Sequence, residues 1–179
     1  MNTDPAGNVT TRLARFDSDV VLRNDQGGET IRLDRQTGDV TLQNADCAED
    51  FDIGDCGTAD PGSVMVLGDD GKLHLSTEAY DRRVAGVVSG AGLYKPGLVL
   101  DRQQSTRDRL PISLVGKAFC KVDAHYAPVA VGDLLTSSPT PGHAMRAEDP
   151  FKAFGAVLGK ALRPLEAGQG MIPILIALQ

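Results

Sequence analysis

Residues 110–147, LPISLVGKAFCKVDAHYAPVAVGDLLTSSPTPGHAMRA, decide the fold. Apolar residues occupy every second position at Ala118, Cys120 and Val122, and lysines and a phenylalanine stand between them. A period of two with the apolar residues on one parity predicts a half-buried β-strand. The residues PTPG at 139–142 then predict a tight loop before a return strand. The stretch therefore predicts an antiparallel β-meander or a small β-barrel.

Short apolar runs on both sides of this stretch extend the β-structure. VMVL and KLHL, joined by the turn GDDG, predict a hairpin at residues 64–75. Further runs at 84–88, 155–162 and 171–178 predict strands, and the residues after Asp149 predict a short helix. The 20 glycines and 10 prolines are typical of a turn-rich β protein. We therefore expect an all-β chain in which residues 63–179 form a β-barrel-like head domain.

A weak repeat of about ten residues precedes the head. Its units are DVVLRND, ETIRLDR and DVTLQNA, each an acidic residue followed by a short alternating strand. Because each strand carries so few apolar side chains, three strands from one chain cannot enclose a core. Residues 19–45 therefore predict a short stalk, a trimeric β-prism or β-helix-like unit in which three chains share strands. A plain β-meander packed on the head is the alternative, and the polar residues 1–18 predict a tether.

Residues 46–62 predict an acidic hinge between stalk and head. Apart from Phe51 and Ile53 they contain few strong apolar anchors, so we expect a loop or a short helical turn there instead of a sheet strand. Five carboxylates lie within ten residues: Asp46, Glu49, Asp50, Asp52 and Asp55. Oxygen ligands for Ca²⁺ are thus present, but the spacing and the glycine of an EF-hand loop are missing. We expect a solvated acidic loop and no metal site.

The cysteines and histidines predict no catalytic site. Cys47 and Cys56 would form a disulfide only in oxidising surroundings and with suitable geometry, and free thiols are the alternative. Cys120 shares the parity of the buried residues, so its nearness in sequence to Asp123 and His125 indicates a core residue beside a turn. His74 and His143 have no partner visible in the sequence. Ser89 lies in VSGAG, which is only half of a nucleophile-elbow pattern.

Composition and charge limit the classes of partner. The net charge of −6 disfavours nucleic acid. No run of 18 apolar residues predicts a membrane span, and MNTDPAGNVTTR is not typical of a secretory signal. With three cysteines, an odd number, no disulfide framework is expected, and we predict synthesis in a reducing cytoplasm. We expect no cofactor and no enzymatic activity.

Several strings resemble a bacterial and phage family of tail-fibre-like proteins. They are NADCAEDFDI, PGSVMVL, AYDRRVAGVVSGAG, the central stretch quoted above and GAVLGKALRPLEAGQGMIPILIALQ, and the resemblance covers about residues 19–179. It implies a homotrimeric fibre or fibre tip, with a β-rich head on a repetitive β-structured stalk. Such fibres belong to phage tails or phage-derived contractile injection particles, which implies a place in an extracellular or virion-like particle. Other particle components or a cell-surface receptor are the implied partners.

The same family resemblance leaves two alternatives open. Related fibre tips include autoproteolytic intramolecular chaperones, so a self-cleaving domain is the first alternative. A generic non-enzymatic assembly protein is the second.

Overall fold

The computed structural model describes residues 17–54, 57–103 and 108–177, together with two short strands near the N-terminus. The chain divides into two compact units, Met1–Gln43 and Asn44–Gln179. No helix in the described part of the chain is long and apolar enough to cross a membrane. Of the predicted tether, the structure describes only β1 (Asn2–Thr3), β2 (Val9–Thr10) and residues 17–18.

The first unit contains a three-stranded antiparallel sheet. Its strands are β3 (Val20–Arg23), β4 (Glu29–Leu33) and β5 (Val40–Leu42), paired in the order β3–β4–β5. Tight turns join them: Gly27 adopts a φ of +79° in the first, a conformation that glycine reaches without steric cost. The strands predicted from the ten-residue repeat are therefore confirmed, and within one chain they form a meander.

This sheet is poorly covered by its own chain. Leu22 is 53% exposed and Val40 is 63% exposed, although both are strand residues with large apolar side chains. Arg32 crosses the sheet surface and forms ion pairs with Asp19 (2.6 Å) and Glu29 (2.7 Å). The described part of the sheet is thus held by backbone pairing and surface ion pairs more than by burial. Sharing of these strands among three chains stays a prediction.

The second unit is nearly all β. Its elements are β6 (Asp46–Asp52), β7 (Val64–Leu67), β8 (Leu73–Leu75), β9 (Val84–Val88), β10 (Pro96–Leu100), β11 (Arg109–Asp123), β12 (Leu134–Ser137), β13 (Ala144–Arg146), α1 (Pro150–Ala153), β14 (Val157–Ala161) and β15 (Gln169–Ala177). The predicted hairpin corresponds to β7 and β8, and the predicted short helix is α1, where the Asp149 side chain caps the backbone N–H groups of Phe151 and Lys152.

Five of these strands close into a barrel. The order is β13–β12–β14–β15–β11, and the pairing of Val122 with Ala144 joins the last strand to the first. The alternation predicted for the central stretch is confirmed, because Ala118, Cys120 and Val122 are all buried in the barrel core. The all-β, barrel-containing fold class is therefore confirmed.

The expectation of a loop or helical turn at residues 46–62 is wrong for its first seven residues. Asp46–Asp52 form strand β6, which pairs antiparallel with β11 and parallel with β10. Asp46 and Asp50 lie on its buried side with Ala48 between them. The prediction failed because it treated every carboxylate as solvated, whereas these two find hydrogen-bond or ion-pair partners on neighbouring segments.

Candidate functional site

A buried carboxyl group on β6 is the strongest candidate site in the second unit. Oδ2 of Asp46 accepts hydrogen bonds from the hydroxyl of Ser89, at 2.8 Å, and from the hydroxyl of Ser113. All three side chains are buried. Ser113 lies on β11 and Ser89 directly follows β9, so the cluster joins three segments that are far apart in the sequence.

The backbone around Asp46 is closely packed. Gly116 of β11 stands opposite Asp46 and has a φ of +107°. A Cβ at Gly116 would lie 2.7 Å from the carbonyl oxygen of Ala45, so this position requires glycine. The lack of a side chain at Gly116 therefore lets β6 and β11 approach each other where the carboxyl group enters the interior.

The two oxygens of Asp46 have different surroundings. Oδ2 accepts from two hydroxyl groups, while Oδ1 is buried and has no hydrogen-bond partner among the described residues. A buried polar atom without a partner is costly, and a catalytic role is one of the explanations for such an atom in a native structure. A carboxylate within hydrogen-bond distance of a serine hydroxyl is also placed to accept its proton. The cluster can thus hold its three segments together through hydrogen bonds. It can also act chemically, with Asp46 as a base beside a serine nucleophile.

The pattern Cys120, Asp123 and His125 does not form a catalytic group. Burial raises the pKa of the Cys120 thiol to about 12, which disfavours a reactive thiolate. Asp123 is a structural hub that accepts hydrogen bonds from Thr140 (2.7 Å), Gln169 (3.0 Å) and the backbone N–H of His125 (2.9 Å). Burial alone would raise the pKa of Asp123, but these hydrogen bonds outweigh it and hold that pKa well below its usual range.

The two remaining histidines, His74 and His143, have contacts with other groups. His74 contacts Asp70, with Nε2 and Oδ1 3.0 Å apart, and the ring of His143 contacts the carbonyl of Pro141. Ser89 donates to Asp46 and not to a histidine. In the sequence Ser89 is only half of an elbow motif, and its carboxyl partner is not visible there because Asp46 lies 43 positions earlier.

Two further carboxylates of β6, those of Asp50 and Asp52, lie beside arginines. Arg102 donates hydrogen bonds to both carboxyl oxygens of Asp50, at 3.0 and 3.1 Å. Nε of Arg109 lies 3.5 Å from Oδ1 of Asp52. Within the described ranges no group of three or more histidine, cysteine or acidic side chains could hold a metal ion. Asp55 and Cys56 lie outside the described residues. The two alternatives for Cys47 and Cys56, a disulfide or free thiols, therefore stay predictions.

Comparison with solved structures gives a distant likeness in fold. No family model matches the sequence, and no match was found among the curated proteins. The fold is similar to that in the crystal structure of the pre-mature bacteriophage phi29 gene product 12, with a TM-score of 0.53 and 14% sequence identity. The likeness covers 84% of this chain and 25% of that chain, so this chain spans about a quarter of the length of the phage protein. At this identity the likeness establishes a shared fold.

Proposed function

We propose that this chain is a non-enzymatic structural protein of a phage or of a phage-derived contractile injection particle. In this proposal three copies form a fibre or fibre tip, with β3–β5 as the shared stalk and the barrel unit as the head. The fold likeness to a bacteriophage protein supports the particle context. The family resemblance of the sequence strings points in the same direction.

The observation that carries the trimer is the exposure of apolar side chains on β3–β5. Leu22, Leu33 and Val40 are all exposed in the single chain. A three-stranded sheet needs a covered hydrophobic face for independent stability. Strands from two further chains would supply that cover around a common axis, as in a triangular prism.

We further propose that the head contacts a cell-surface receptor, as the fibre context implies. Its specificity would lie in surface loops such as residues 101–109, of which 104–107 lie outside the described part. The net charge of −6 favours a protein or glycan receptor over nucleic acid.

Mass photometry at nanomolar concentration, combined with negative-stain images, tests the proposal. We expect particles of three times the chain mass of 18.9 kDa, with an elongated stalk and a compact head. The absence of trimer-mass particles at this concentration would contradict a stable homotrimer and with it the fibre.

A self-cleaving domain is the second candidate, and the Asp46 cluster is the observation that favours it. As Ser113 attacks a backbone carbonyl, its proton would pass to Asp46 and the peptide nitrogen would leave protonated. Water would then hydrolyse the ester and restore the serine. Intact mass decides: two fragments that together exceed the chain mass by one water, absent in Asp46→Asn, would favour cleavage. One species of 18.9 kDa would rule out cleavage, and the structural role would then be the remaining candidate.

A further inference from the structure

Two aromatic side chains at the short helix α1 are almost fully exposed to solvent. Phe151 is 88% exposed and Phe154 is 83% exposed. The segment that carries them is nevertheless anchored, since the hydroxyl of Tyr80 accepts hydrogen bonds from the backbone N–H groups of Glu148 and Asp149, at 3.0 and 3.1 Å. Exposed apolar groups that lie together on a soluble protein mark interaction sites.

Tyr80 holds this segment in a strained conformation of its own backbone. Its φ of +56° lies in the left-handed region, which a residue with a bulky side chain rarely adopts. A backbone hydrogen bond from Tyr80 to Ser137 on β12, at 3.2 Å, ties this conformation to the barrel. Strained backbone of this kind clusters at binding and catalytic sites, where the surrounding structure maintains it. The two phenylalanine rings are therefore presented from a fixed position.

An apolar cavity of about 250 Å³ opens beside the same helix. It is lined by residues without polar side chains, namely Leu134, Pro150, Ala153, Phe154, Gly155 and Val157. A cavity with such a lining suits a hydrocarbon group. Phe151 is not part of the lining, so a small molecule bound inside the cavity would leave this ring in water. An apolar layer that extends past the mouth of the cavity would cover both phenylalanine rings.

Basic side chains stand at the rim of this cavity. Lys152 lies between the two phenylalanines in the sequence, and Lys160 on β14 pairs with the wall residue Leu134 on β12. A Cβ at Gly155, another wall residue, would lie 4.0 Å from Cγ of Arg82, so the stem of Arg82 lies beside the wall. In the described part of the chain neither Arg82 nor Lys160 forms an ion pair with a carboxylate. Two cations at the rim are thus available to anions from outside the chain.

The aspartates near this rim are already engaged. The side chain of Asp149 accepts hydrogen bonds from two backbone N–H groups of α1. Each aspartate next to a cavity residue or to Arg82 has a basic side chain as its ion-pair partner; the pairs are Asp149–Lys152, Asp81–Arg83 and Asp133–Arg146. Glu78 and Glu148 are exposed and form no ion pair with Arg82 or Lys160. Direct contacts within the described chain therefore do not neutralise these two cations.

The arrangement distinguishes among the possible occupants of this surface. A second copy in a symmetric contact would bring the same cationic groups against each other, which opposes association. A small apolar molecule would fill the cavity and leave Phe151 in water. A lipid surface with anionic head groups supplies a hydrocarbon layer for the rings and the cavity, and phosphates for the cationic rim. Aromatic and basic side chains next to each other are typical of segments that lie in a membrane interface.

We propose that the second unit adsorbs to an anionic lipid surface through α1. Phe151 and Phe154 enter the outer hydrocarbon layer, and part of an acyl chain occupies the cavity. The cationic groups of Arg82, Lys152 and Lys160 then lie at the level of the lipid phosphates. This inference goes beyond the proposed particle role and does not require the homotrimer.

Co-sedimentation of the full-length protein with large vesicles tests the inference. The vesicles contain phosphatidylglycerol and phosphatidylcholine in equal parts, or phosphatidylcholine alone, in about 0.1 M NaCl, where charges within about 10 Å still interact. We expect binding to the anionic vesicles to be about tenfold tighter or more, since each basic residue near an anionic surface adds to the attraction. Equal binding to both kinds of vesicle, or binding to neither, would overturn the inference.

Two matched pairs of variants locate the contact. Phe151→Ser should weaken binding to the anionic vesicles by about tenfold or more, because one phenylalanine ring no longer leaves water. Leu93→Ser is its control, because Leu93 is 89% exposed and lies in the loop between β9 and β10. Lys160→Glu should weaken binding by a similar factor. Its control is Lys72→Glu, which changes the net charge equally at an exposed position of the β7–β8 hairpin. Both controls should stay close to the wild type.

The outcomes separate the lipid surface from the other occupants. If Phe151→Ser binds the vesicles like the wild type, or if Leu93→Ser loses as much, the proposed contact is overturned. Self-association in light scattering without lipid, abolished by Phe151→Ser, would assign the surface to a second copy. Binding of monomeric octyl phosphate without binding to vesicles would assign the cavity to a free ligand. Either of these two results would overturn the lipid surface.

A tryptophan reporter gives a second measurement that does not depend on a loss of binding. The chain contains no tryptophan, so Phe151→Trp provides a single emission signal at the proposed contact. Its emission should shift to shorter wavelength when anionic vesicles are added, and lipids with brominated acyl chains should quench it. Leu93→Trp should show neither change. An unshifted spectrum of Phe151→Trp would overturn the inference.

Discussion

Replacement of Ile174 by alanine tests the barrel core most sharply. Ile174 is fully buried on β15, and its cross-strand neighbours are Ala118 on β11 and Ala161 on β14. Two small neighbours cannot move in to fill the space that the larger side chain leaves. We therefore expect Ile174→Ala to cost about 4 kcal/mol, in the upper part of the range for buried Ile to Ala.

The assay is urea unfolding at one protein concentration, followed by circular dichroism. With a slope of about 2 kcal/mol per molar urea, the midpoint should fall by about 2 M at an unchanged slope. Leu67→Ala is the control, because Leu67 is a half-exposed strand residue, and it should cost about 0.5 kcal/mol. Equal losses in the two variants would refute the assignment of Ile174 to the core and the strand parity behind it.

Three further predictions concern the acid response, metals and truncation. Because the folded-state pKa of Asp123 is lowered, its contribution to stability is present above the usual carboxyl pKa of about 4 and is lost as the pH falls below it. The difference in unfolding free energy between the wild type and Asp123→Asn should therefore shrink between pH 5 and pH 2, and a constant difference would contradict the hydrogen-bonded carboxylate. EDTA should leave the melting temperature unchanged, and a fall of many degrees would show a metal site. Deletion of residues 1–45 should leave a folded β protein, whereas deletion of 171–179 removes most of β15 and should cause aggregation; the reverse result would contradict the division of the chain.

Local alternation was a reliable guide to the barrel. The parity of Ala118, Cys120 and Val122 identified the buried side of β11, because a strand with one covered face must alternate. The hairpin β7–β8 was equally predictable, since its turn residues and apolar flanks lie together in the sequence.

Contacts between distant segments were beyond local reasoning. Asp46 and Ser113 are 67 positions apart, and nothing near either residue indicates that a hydroxyl and a carboxyl group will meet. The same limit explains the error at β6: Asp50 is tolerable on a buried strand face only because Arg102, 52 positions later, neutralises it.

Hydrogen exchange of the backbone amides of β3–β5, measured across a dilution series, tests the central claim most directly. If three chains share these strands, the amides of β4 should be protected at concentrations where the protein has trimer mass. Their protection should disappear as the protein dissociates, since the exposed Leu22 and Val40 leave the single-chain sheet without cover. A monomer in which residues 19–44 remain protected from exchange would contradict the account.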